Sequence, residues 1–537
     1  MIRALVLVLA LVLLPALAAA ADDPLELLWS DRLDFAADGS PLITVRIQED
    51  ASEISMVTRG AARISAGGLQ SRPGSTWRFR VEGAVPAKVR WAAQVADFRL
   101  RDREAAEAAL ATWRERGFAA RAVTVGGVFG FQGRVIDNRR YAILLSEPGT
   151  RAAAERMARD AEARFGATTQ LFEELLERPS GKIVVLDAEG RVAASAPGVV
   201  VVEPRDAAGI TLLQVEHDMG YAAHGRQDRT YRGKVFVTVD ARGKTAAVGV
   251  LPMEELVQGI VPSEIFASAP TEALAAQAVA ARGEVLAKIG VRHRADPWLI
   301  CAEQHCQVYK GLSGEHPRTN AAIAASRGEV LFGEGGGLVD SVYSSTCGGH
   351  TENNEVVWGT PPDPNLRGVP DWIDHPELER YAARVEDVKG FLEAEVPGVC
   401  RDASFSRPEK YRWERRFTRV ELESLLRPLG VGAIVSLRAE GRGVSGRATR
   451  LVVEGTKGRR EVTGELAIRR LLRNLNSSLF VIEPEGAPPT AWTFRGGGWG
   501  HGVGMCQMGA IGRAERGHDH EAILRHYYSG AETVRLY

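Results

Sequence analysis

Residues 250–282 read VLPMEELVQGIVPSEIFASAPTEALAAQAVAAR, which is two short helical patterns on either side of one glutamate. Pro252 suits the start of the first helix, and Pro262 is expected to interrupt it, because proline has no N–H to donate and clashes with the preceding turn. Pro270 suits the first turn of the second helix, where apolar residues recur at spacings of three and four. This pattern predicts that Glu264 lies in an irregular segment between two packed helices.

The surroundings of Glu264 allow two interpretations. Its apolar neighbours Val261, Ile265 and Phe266 would partly desolvate the carboxyl group. Desolvation raises a carboxyl pKa towards the range that a general acid needs. The alternative is a solvated glutamate in a turn, with no chemical role, and the residues of this segment leave both interpretations open.

The chain as a whole has 537 residues, of which 45% are hydrophobic. This length predicts two or three domains, because single cores stop growing near roughly 250–300 residues. Charged residues make up 25% of the chain and nearly cancel, to a formal net charge of -1. No global field would draw the protein onto a polyanion, so nucleic acid is not favoured as a partner.

The first 21 residues have the pattern of a secretory signal peptide: Arg3, an apolar run to about Leu17, and small residues up to Ala21. An uncleaved anchor is the alternative, and either one exports the rest of the chain. No later stretch has the roughly 18 consecutive apolar residues of a membrane span. We therefore expect a periplasmic or cell-wall-associated protein with no membrane contact beyond the signal segment.

The rest of the sequence predicts an α+β fold in four parts. Residues 22–86 are a β-rich N-terminal segment, and residues 87–175 hold two strand–helix units that suggest a small α/β sandwich with pseudo-twofold symmetry. Residues 176–230 are a β-rich connector. A larger mixed α/β domain is expected from residue 231 to residue 537, beginning with two alternating strands and including a strand pair and charged helices within residues 376–480.

Residues 87–175 resemble a SPOR domain, a glycan-binding module of cell-wall proteins. The resemblance rests on AAQVADF, DREAAEAAL and GFAARAV in the first half and on YAILLSEPGTRAAAERMA in the second. It implies affinity for peptidoglycan strands without stem peptides. An α/β domain that serves only for packing is the alternative.

Five motifs in order, spread over about half of the chain, resemble the SpoIID family, which comprises stage II sporulation protein D and LytB-like relatives. The first is the segment quoted above. The others are HCQVYKG at 305–311, SRGEVLFG at 326–333, YSSTCGGHTENNEVVWG at 343–359 and GGWGHGVGMCQMGA at 497–510. The family contains lytic transglycosylases, which cut the β-1,4 bond between MurNAc and GlcNAc in peptidoglycan and leave a 1,6-anhydro end.

The resemblance places the family's catalytic glutamate on Glu264. This group would protonate the glycosidic oxygen and then, as carboxylate, take a proton from the 6-hydroxyl of the sugar, which requires no cofactor. Glu254 and Glu255 are expected to be solvated. Ordinary glycosidases need a second carboxylate, and the sequence identifies none, although Glu352 stays a candidate.

The glycine-rich motifs are expected to form the walls of the substrate groove, since glycine lets the backbone approach a ligand and aromatic faces suit sugar rings. Arg282 has two interpretations: it binds a lactyl carboxylate, or it fixes loops by hydrogen bonds. Core packing is the alternative for each tryptophan. The candidate substrate-binding residues are Gln277, Arg282, Ser345, His350, Glu352, Trp358, Trp499 and His501.

Four potential metal ligands fall within 14 residues: His293, Cys301, His305 and Cys306. Two thiolates and two imidazoles would make a tetrahedral zinc site, and a similar arrangement in SpoIID relatives supports it. With four ligands the zinc would brace a loop near the cleft and perform no chemistry. A disulfide between Cys301 and Cys306 is the alternative, which an oxidising compartment favours.

The other three cysteines are Cys347, Cys400 and Cys506. Cys347 and Cys506 lie in the two glycine-rich motifs, so a disulfide between them is expected if these motifs converge. Cys400 would then stay free.

Three functions follow from these observations. The first is a lytic transglycosylase, which the SPOR-like module holds on peptide-free glycan strands. The second is a non-catalytic enhancer of a cell-wall amidase, which needs the groove but not the acid. The third is a zinc hydrolase, which needs an open metal position, and a four-ligand site without an HExxH helix argues against it.

Overall fold

The computed structural model describes residues 23–30, 32–219, 224–394 and 396–537. The predicted signal segment, residues 1–21, lies outside them. The α+β prediction is confirmed, since helices occur together with several mostly antiparallel sheets. Within the described ranges, none of the helices combines the length and the apolar character that crossing a membrane requires.

Strands dominate the described residues up to Pro252. They are β1 (Leu42–Ala51), β2 (Ile54–Thr58), β3 (Ala62–Ile64), β4 (Leu69–Ser71), β5 (Thr76–Val85), β6 (Lys88–Arg99), β7 (Arg121–Val125), β8 (Val128–Phe131), β9 (Arg134–Asp137), β10 (Arg140–Leu144), β11 (Gln170–Glu177), β12 (Ser180–Leu186), β13 (Val192–Pro197), β14 (Val199–Pro204), β15 (Ile210–His217), β16 (Gly225–Tyr231), β17 (Lys234–Val239) and β18 (Thr245–Pro252). The helices are α1 (Pro24–Trp29), α2 (Arg103–Glu115) and α3 (Arg151–Phe165), with 3-10 turns at Ala66–Gly68 and Leu100–Asp102.

Helices and short strands alternate after Pro252. The helices are α4 (Met253–Glu264), α5 (Thr271–Lys288), α6 (Pro317–Ala325), α7 (Asn354–Trp358), α8 (Val388–Glu393), α9 (Val399–Asp402), α10 (Pro408–Tyr411), α11 (Arg419–Leu426), α12 (Glu465–Leu471), α13 (Gln507–Glu515) and α14 (His520–Tyr527), with 3-10 turns at Gly311–Gly314, Pro376–Tyr381 and Arg427–Leu429. The strands are β19 (Ile300–Cys301), β20 (Glu329–Gly333), β21 (Tyr343–Ser344), β22 (Arg412–Thr418), β23 (Ile434–Arg442), β24 (Ala448–Gly455), β25 (Gly458–Thr463), β26 (Phe480–Glu485), β27 (Ala491–Gly497), β28 (Met505–Cys506) and β29 (Ala531–Arg535).

Two large sheets share one hydrophobic core. The first has the strand order β19-β1-β18-β17-β14-β3-β4 and the second β13-β12-β5-β2-β15-β16. The predicted hairpin is present as β17 and β18, in which Lys234 pairs with Val250. Residues from both sheets, including Val45 and Phe79, lie in the same core cluster.

The sheets join three segments that the prediction kept apart, residues 22–86, residues 176–230 and the start of the domain at residue 231. Strands from residues 22–86 and 176–230 pair directly with β17 and β18, so the three segments form one β-structure. Alternating hydrophobic residues identify a strand, but they do not identify the strand that it pairs with. For this reason the sequence analysis treated these three segments as separate parts, although hydrogen bonds between their strands join them into one structure.

The α/β unit is inserted between two paired strands of the second sheet. Strands β5 and β12, in which Val85 pairs with Ser180, flank a β6-α2-β7 half and a β10-α3-β11 half. These strands form an antiparallel sheet in the order β11-β6-β10-β7, with α2 and α3 packed on one face. The two predicted strand–helix halves are therefore present.

Helix α5 lies at the centre of the C-terminal part and is buried along almost its whole length. Its alanines leave room for α4, α6, α13 and α14, all of which contact it. The predicted strand pair within residues 376–480 is present as β23 and β24. It belongs to a separate core, built around residues such as Leu451, Phe480 and Trp492.

Candidate active site

Glu264 is the last residue of helix α4, which continues through Pro262. The expectation that Pro262 would place Glu264 in an irregular segment is therefore corrected. Proline removes only its own N–H, and the next turn closes with a bond from the Ile265 N–H to the Val261 carbonyl at 3.0 Å. The Ser263 hydroxyl also donates to the Gly259 carbonyl at 2.9 Å. The helix thus fixes the direction of the Glu264 side chain.

The Glu264 carboxyl group is partly buried and has one hydrogen bond from the backbone, the Val308 N–H at 3.2 Å. Burial and, second to it, the nearby charge of Glu284 raise the pKa of Glu264 to about 7, while Val308, Lys288 and Lys310 act in the opposite direction. A carboxyl group that titrates near neutrality can give a proton and take one back.

Glu284 is a functional candidate that the sequence reasoning missed. It projects from α5, pairs with Lys288, and accepts a hydrogen bond from the Gln307 amide. Gln307 in turn accepts a hydrogen bond from the Tyr343 hydroxyl, and burial raises the pKa of Glu284. The sequence did contain a signal for Glu284. A helix as rich in small apolar residues as α5 is expected to be buried, so a charged residue within it is a candidate for a functional role.

Gln277 lies behind Glu264 and is fully buried. Its side-chain oxygen accepts a hydrogen bond from the Gln507 amide at 3.1 Å, and the same amide donates to the Glu264 carbonyl at 2.9 Å. Gln277 therefore supports the backbone of Glu264 and is not placed to bind substrate. Gln507 lies in the motif at residues 497–510, but the sequence analysis did not include it among the candidate site residues.

Arg282 is fully buried and cannot reach a substrate. It donates two hydrogen bonds of 2.8 Å to the Glu254 carboxylate and one of 3.0 Å to the Ile323 carbonyl. The lactyl carboxylate interpretation is corrected, and the alternative, an arginine that fixes neighbouring segments, agrees with the structure. Glu254, expected to be solvated, is buried by the same contact.

His350 and Glu352 are also fully buried, which corrects their assignment to the groove. The His350 ring lies between the carbonyl oxygens of Thr351 and Ala382, at 2.7 and 3.0 Å. Glu352 accepts hydrogen bonds from three backbone N–H groups and the Ser445 hydroxyl. It therefore has no capacity left to act as a second catalytic carboxylate.

The two glycine-rich motifs converge, and the way they pair explains this burial. Strands β21 and β28 run parallel, and Thr346 bridges Trp499. Gly348 and Gly498 cross so closely that a Cβ on Gly348 would lie 2.8 Å from the Gly498 nitrogen. The glycines therefore bring the two backbones together, and this turns part of each motif inward.

Trp358 and His501 lie side by side, with ring centroids 5.2 Å apart, and the Trp358 side chain is 39% exposed. Burial, with Arg469 and Arg447, lowers the pKa of His501 to about 3, so the ring is neutral. Trp499 is equally exposed, but Lys410 lies over its ring at 4.3 Å. Ser345 is partly buried, and its carbonyl accepts the Met508 N–H at 3.1 Å.

A cleft of about 790 Å³ lies between the α/β unit and the C-terminal part. The C-terminal part contributes Glu284, Tyr343, Trp358 and His501, and the α/β unit contributes Gln94, Asp97, Arg99, Arg140 and Phe172. Glu264 does not itself line the cleft, but Glu284, which does, lies close enough for its charge to raise the pKa of Glu264 after burial, the larger cause. The mixture of aromatic and charged groups in the cleft suits a polar polymer.

Hydrogen bonds and an ion pair attach the α/β unit to the C-terminal part next to this cleft. The Asn138 amide donates to the Leu286 and Ile289 carbonyls, each at 2.9 Å, at the end of α5. Arg140 pairs with Asp340 at 3.2 Å. The position of the unit relative to the cleft is therefore fixed by the same helix that carries Glu284.

Comparison with known proteins identifies the domain that holds Glu264. A family model described as SpoIID, stage II sporulation protein, matches residues 241–332, and one described as a domain of unknown function (DUF8618) matches residues 352–504. Residues 241–332, which hold Glu264, are thus similar to the SpoIID family. The SpoIID match includes Glu264, Glu284 and the Val308 backbone, while Tyr343, Trp358 and His501 lie beyond it.

Curated relatives agree with this assignment. The chain is 29% identical over 306 residues to stage II sporulation protein D of Bacillus amyloliquefaciens, covering 54% of this chain and 76% of the relative. It is 26% identical over 291 residues to the amidase enhancer of Bacillus subtilis (strain 168), covering 51% and 39%. An uncharacterized protein of Brachyspira hyodysenteriae is 27% identical over 289 residues, covering 53% and 68%. The chain thus spans well under half of the amidase enhancer.

The SpoIID domain brings the four predicted metal ligands together. The ligand atoms of His293, Cys301, His305 and Cys306 all lie within 4.8 Å of one another. His293 Nε2 is 3.2 Å from the Cys306 sulfur, and His305 Nδ1 is 3.6 and 3.8 Å from the sulfurs of Cys306 and Cys301. Asp296 holds the other nitrogen of His293 at 3.0 Å, as carboxylates do behind metal-bound histidines.

All five cysteines of the chain are free thiols. Neither the Cys301–Cys306 disulfide nor the Cys347–Cys506 disulfide is present. The motifs of Cys347 and Cys506 do converge, but Cys400 also lies in contact, with its sulfur 3.5 Å from that of Cys347. Cys400 is therefore part of this group and not an isolated residue.

Proposed function

We propose that this protein is an exported peptidoglycan lytic transglycosylase, which cleaves the MurNAc–GlcNAc β-1,4 bond and leaves a 1,6-anhydro end. The observation that carries the proposal is the partly buried Glu264 carboxyl group at the end of α4, whose pKa is raised to about 7 and whose neighbour Glu284 lines the cleft. The signal-like segment at residues 1–21 supports a location in the periplasm or at the cell wall.

A single carboxyl group suffices for this reaction. Protonated Glu264 donates its proton to the glycosidic oxygen as the bond to the anomeric carbon breaks. The carboxylate then removes the proton from the 6-hydroxyl of the same sugar, whose oxygen closes on the anomeric carbon. Glu264 ends the cycle protonated, and no water is consumed.

Neighbouring groups prepare Glu264 for both steps. The charge of Glu284 favours the protonated form before bond cleavage. The Val308 N–H hydrogen-bonds the carboxylate that forms afterwards. Burial is the main cause that raises the pKa of Glu264 to about 7, Glu284 adds to it and Val308 opposes it, and near neutrality a group exchanges protons in both directions.

The α/β unit is proposed to hold peptide-free glycan strands, as its SPOR-like sequence implies. Its strands line the same cleft as Tyr343, Trp358 and His501. A strand bound across the unit would therefore reach Glu284 and Tyr343, the cleft residues whose electrostatic interactions include Glu264. Holding the polymer at two places raises its local concentration at the acid.

The loop that touches Glu264 is proposed to hold a structural zinc ion through His293, Cys301, His305 and Cys306. A tetrahedral zinc with bonds of about 2.0–2.3 Å to nitrogen and sulfur spaces its ligand atoms by roughly 3.5 Å, which these residues match. Zinc would supply a closed structural centre there, since four protein ligands fill it. Cys306, Gln307 and Val308 are consecutive, so fixing Cys306 also fixes the groups that contact Glu284 and Glu264.

The proposal is tested by incubating the purified protein with glycan strands that either carry or lack stem peptides, beside Glu264→Gln. The products are analysed by mass spectrometry for anhydro ends. We expect anhydro products from the native protein alone, and more of them from peptide-free strands. Intact glycan after incubation with the native protein contradicts the proposal.

A second candidate function is that of a non-catalytic enhancer of a cell-wall amidase. The similarity to the amidase enhancer of Bacillus subtilis favours it. Such a protein needs the cleft but not the carboxyl group of Glu264. It predicts that native protein and Glu264→Gln bind glycan and stimulate an amidase equally, with no anhydro products from either.

A further inference from the structure

A second cluster of potential metal ligands lies where the two glycine-rich motifs meet the segment between them. Cys347 follows β21, Cys400 is in α9, Cys506 ends β28, and Asp371 lies in the loop between α7 and the following 3-10 turn. All four side chains are fully buried. The three sulfurs and a carboxylate oxygen lie within 4.8 Å of one another.

The spacing of these atoms suits a tetrahedral ion. Zinc bonds of about 2.3 Å to sulfur and about 2.0–2.2 Å to oxygen place neighbouring ligand atoms roughly 3.5–3.8 Å apart. The Cys347 sulfur is 3.5 Å from the Cys400 sulfur and 3.4 Å from Asp371 Oδ2. The atoms thus surround a space of the size that one ion fills.

Backbone donors point at the ligand atoms from outside the cluster. The Cys506 sulfur accepts the N–H groups of Cys347 at 3.1 Å and of Gly509 at 3.3 Å, the latter in the first turn of α13. Asp371 Oδ2 accepts the Cys400 N–H at 3.1 Å. Such outer hydrogen bonds orient metal ligands and stabilise their anionic forms.

The second oxygen of Asp371 is held on the side away from the sulfurs. It accepts the Tyr527 hydroxyl at 2.7 Å and lies 3.7 Å from the Arg513 guanidinium. A Cβ on Gly509 would lie 1.9 Å from the Tyr527 oxygen and 2.9 Å from both Asp371 oxygens. Glycine at this position is therefore required for α13 to approach the cluster.

The burial of these groups calls for a positive partner. A buried carboxylate is costly unless it is paired or binds a metal, and Arg513 is the only cation that the described residues place beside Asp371 at ion-pair distance. A divalent ion bound by three thiolates and one carboxylate leaves two negative charges in excess. Arg513, the backbone donors and the start of α13 all lie where they offset this excess.

We propose that Cys347, Asp371, Cys400 and Cys506 form a second, structural zinc site. Thiolate-rich tetrahedral sets select zinc among the common divalent metals. With four protein ligands the site is closed, so its role is to join three segments that are far apart in sequence. It would fix the crossing of the glycine-rich motifs that carry Trp358 and His501.

The test is the zinc content of the purified full chain and its variants, measured by plasma mass spectrometry. The double variant His293→Ala/Cys301→Ser removes the loop site and leaves the second site intact. We expect it to retain one zinc per chain, and an absence of zinc in this variant would overturn the proposal. This readout does not depend on whether the loop site binds metal in the native protein.

Variants of the second site sharpen the result. Asp371→Asn and Cys400→Ser are expected to contain one zinc fewer than the native chain. Asp363→Asn, which alters another buried aspartate of the same region, is the matched control and is expected to keep the native zinc content. If Cys400→Ser does not fold, the loop-site double variant still decides the question.

A disulfide is the main competing state of the cluster, since Cys347 and Cys400 are in contact. Alkylation of the denatured, unreduced protein followed by mass spectrometry separates the two. We expect all five cysteines to be alkylated. A Cys347–Cys400 cross-linked peptide, together with two fewer alkyl groups, would overturn the zinc proposal.

Discussion

Helix α4 carries a glutamate near each end, and the two carboxyl groups have opposite surroundings. Glu254, in the first turn, accepts two hydrogen bonds from Arg282 and one from the Tyr537 hydroxyl. Glu264, in the last turn, accepts one backbone N–H at 3.2 Å and lies near a second acid. The positive end of the helix also favours a carboxylate at Glu254, whereas the negative end disfavours one at Glu264.

The number of hydrogen-bond partners distinguishes Glu254, which stabilises the fold, from Glu264, which is available for acid–base chemistry. Glu254 has hydrogen-bond partners for its charge, so protonating it would break several contacts. Glu264 has few partners, so its two protonation states are close in free energy at neutral pH. A catalytic role for Glu264 and a structural role for Glu254 can therefore be tested by the same substitution at each end.

The largest effect is expected from Glu264→Gln, which removes the proton donor and keeps the shape of the side chain. Positioned acid–base groups contribute roughly 10²–10⁴-fold to rates, so the release of anhydro products should fall by about that factor. Initial rates on peptide-free glycan measure it. Glu255→Gln, which alters a partly buried glutamate of the same helix, is the matched control and should keep the native rate.

Glu264→Gln is expected to lower activity but to raise the stability of the folded protein at high pH. The pKa of Glu264 in the folded protein, about 7, exceeds its ordinary value of 4.5. The folded state therefore binds this proton more tightly, and the contribution of Glu264 to stability declines as the pH rises from about 4.5 to 7. Glu264→Gln should be more stable than the native protein at pH 8 and should lose this pH dependence. Unfolding in urea at several pH values measures both, and a destabilised variant at pH 8 would break the comparison.

Glu254→Gln is expected to do the reverse. It leaves the buried guanidinium of Arg282 without its anion, and breaking a buried ion pair on one side costs about 3–5 kcal/mol. The free energy of unfolding in urea should fall by that amount. The double variant Glu254→Gln/Arg282→Met removes the unpaired charge and should recover part of the loss. No recovery would mean that packing, and not the charge, caused the effect.

The sequence predicted several features because they depend on local pattern. The alanine spacing of α5, the hairpin of β17 and β18, and the grouping of His293 with Cys306 all follow from residues close together in the chain. The convergence of the glycine-rich motifs entered the sequence analysis only as the condition for a Cys347–Cys506 disulfide.

Other features could not be predicted because they depend on partners from distant segments. Glu352 is occupied by a loop more than 90 positions away, at residues 444 and 445, and Arg282 by a glutamate on another helix. A polar residue in a glycine-rich motif looks the same whether it faces a ligand or its own backbone. Glu284 was missed for the same reason, since its proximity to Glu264 arises only when α4 packs on α5.

Glu284→Gln tests whether the second acid tunes the first. The change removes the charge that raises the pKa of Glu264 and frees Lys288, which lowers it further. Cleavage requires protonated Glu264, so the decline in rate at high pH should begin at a lower pH than in the native protein. The pH dependence of kcat measures this. Glu255→Gln should leave the profile in place, and an unchanged profile in Glu284→Gln would show that burial alone sets the pKa.

The smallest effect is expected from the two exposed tryptophans, which have nearly equal exposure but different surroundings. Trp358 lines the cleft beside His501, whereas Trp499 is covered by Lys410 and is not among the cleft residues. Aromatic contacts contribute about 0.5–1.5 kcal/mol beyond area, so Trp358→Ala should weaken glycan binding by roughly 2- to 10-fold. Trp499→Ala should change it less. Sedimentation with peptide-free glycan measures both, in the Glu264→Gln background so that no strand is cut. A larger loss from Trp499→Ala would move the glycan path to the other side of the glycine-rich crossing.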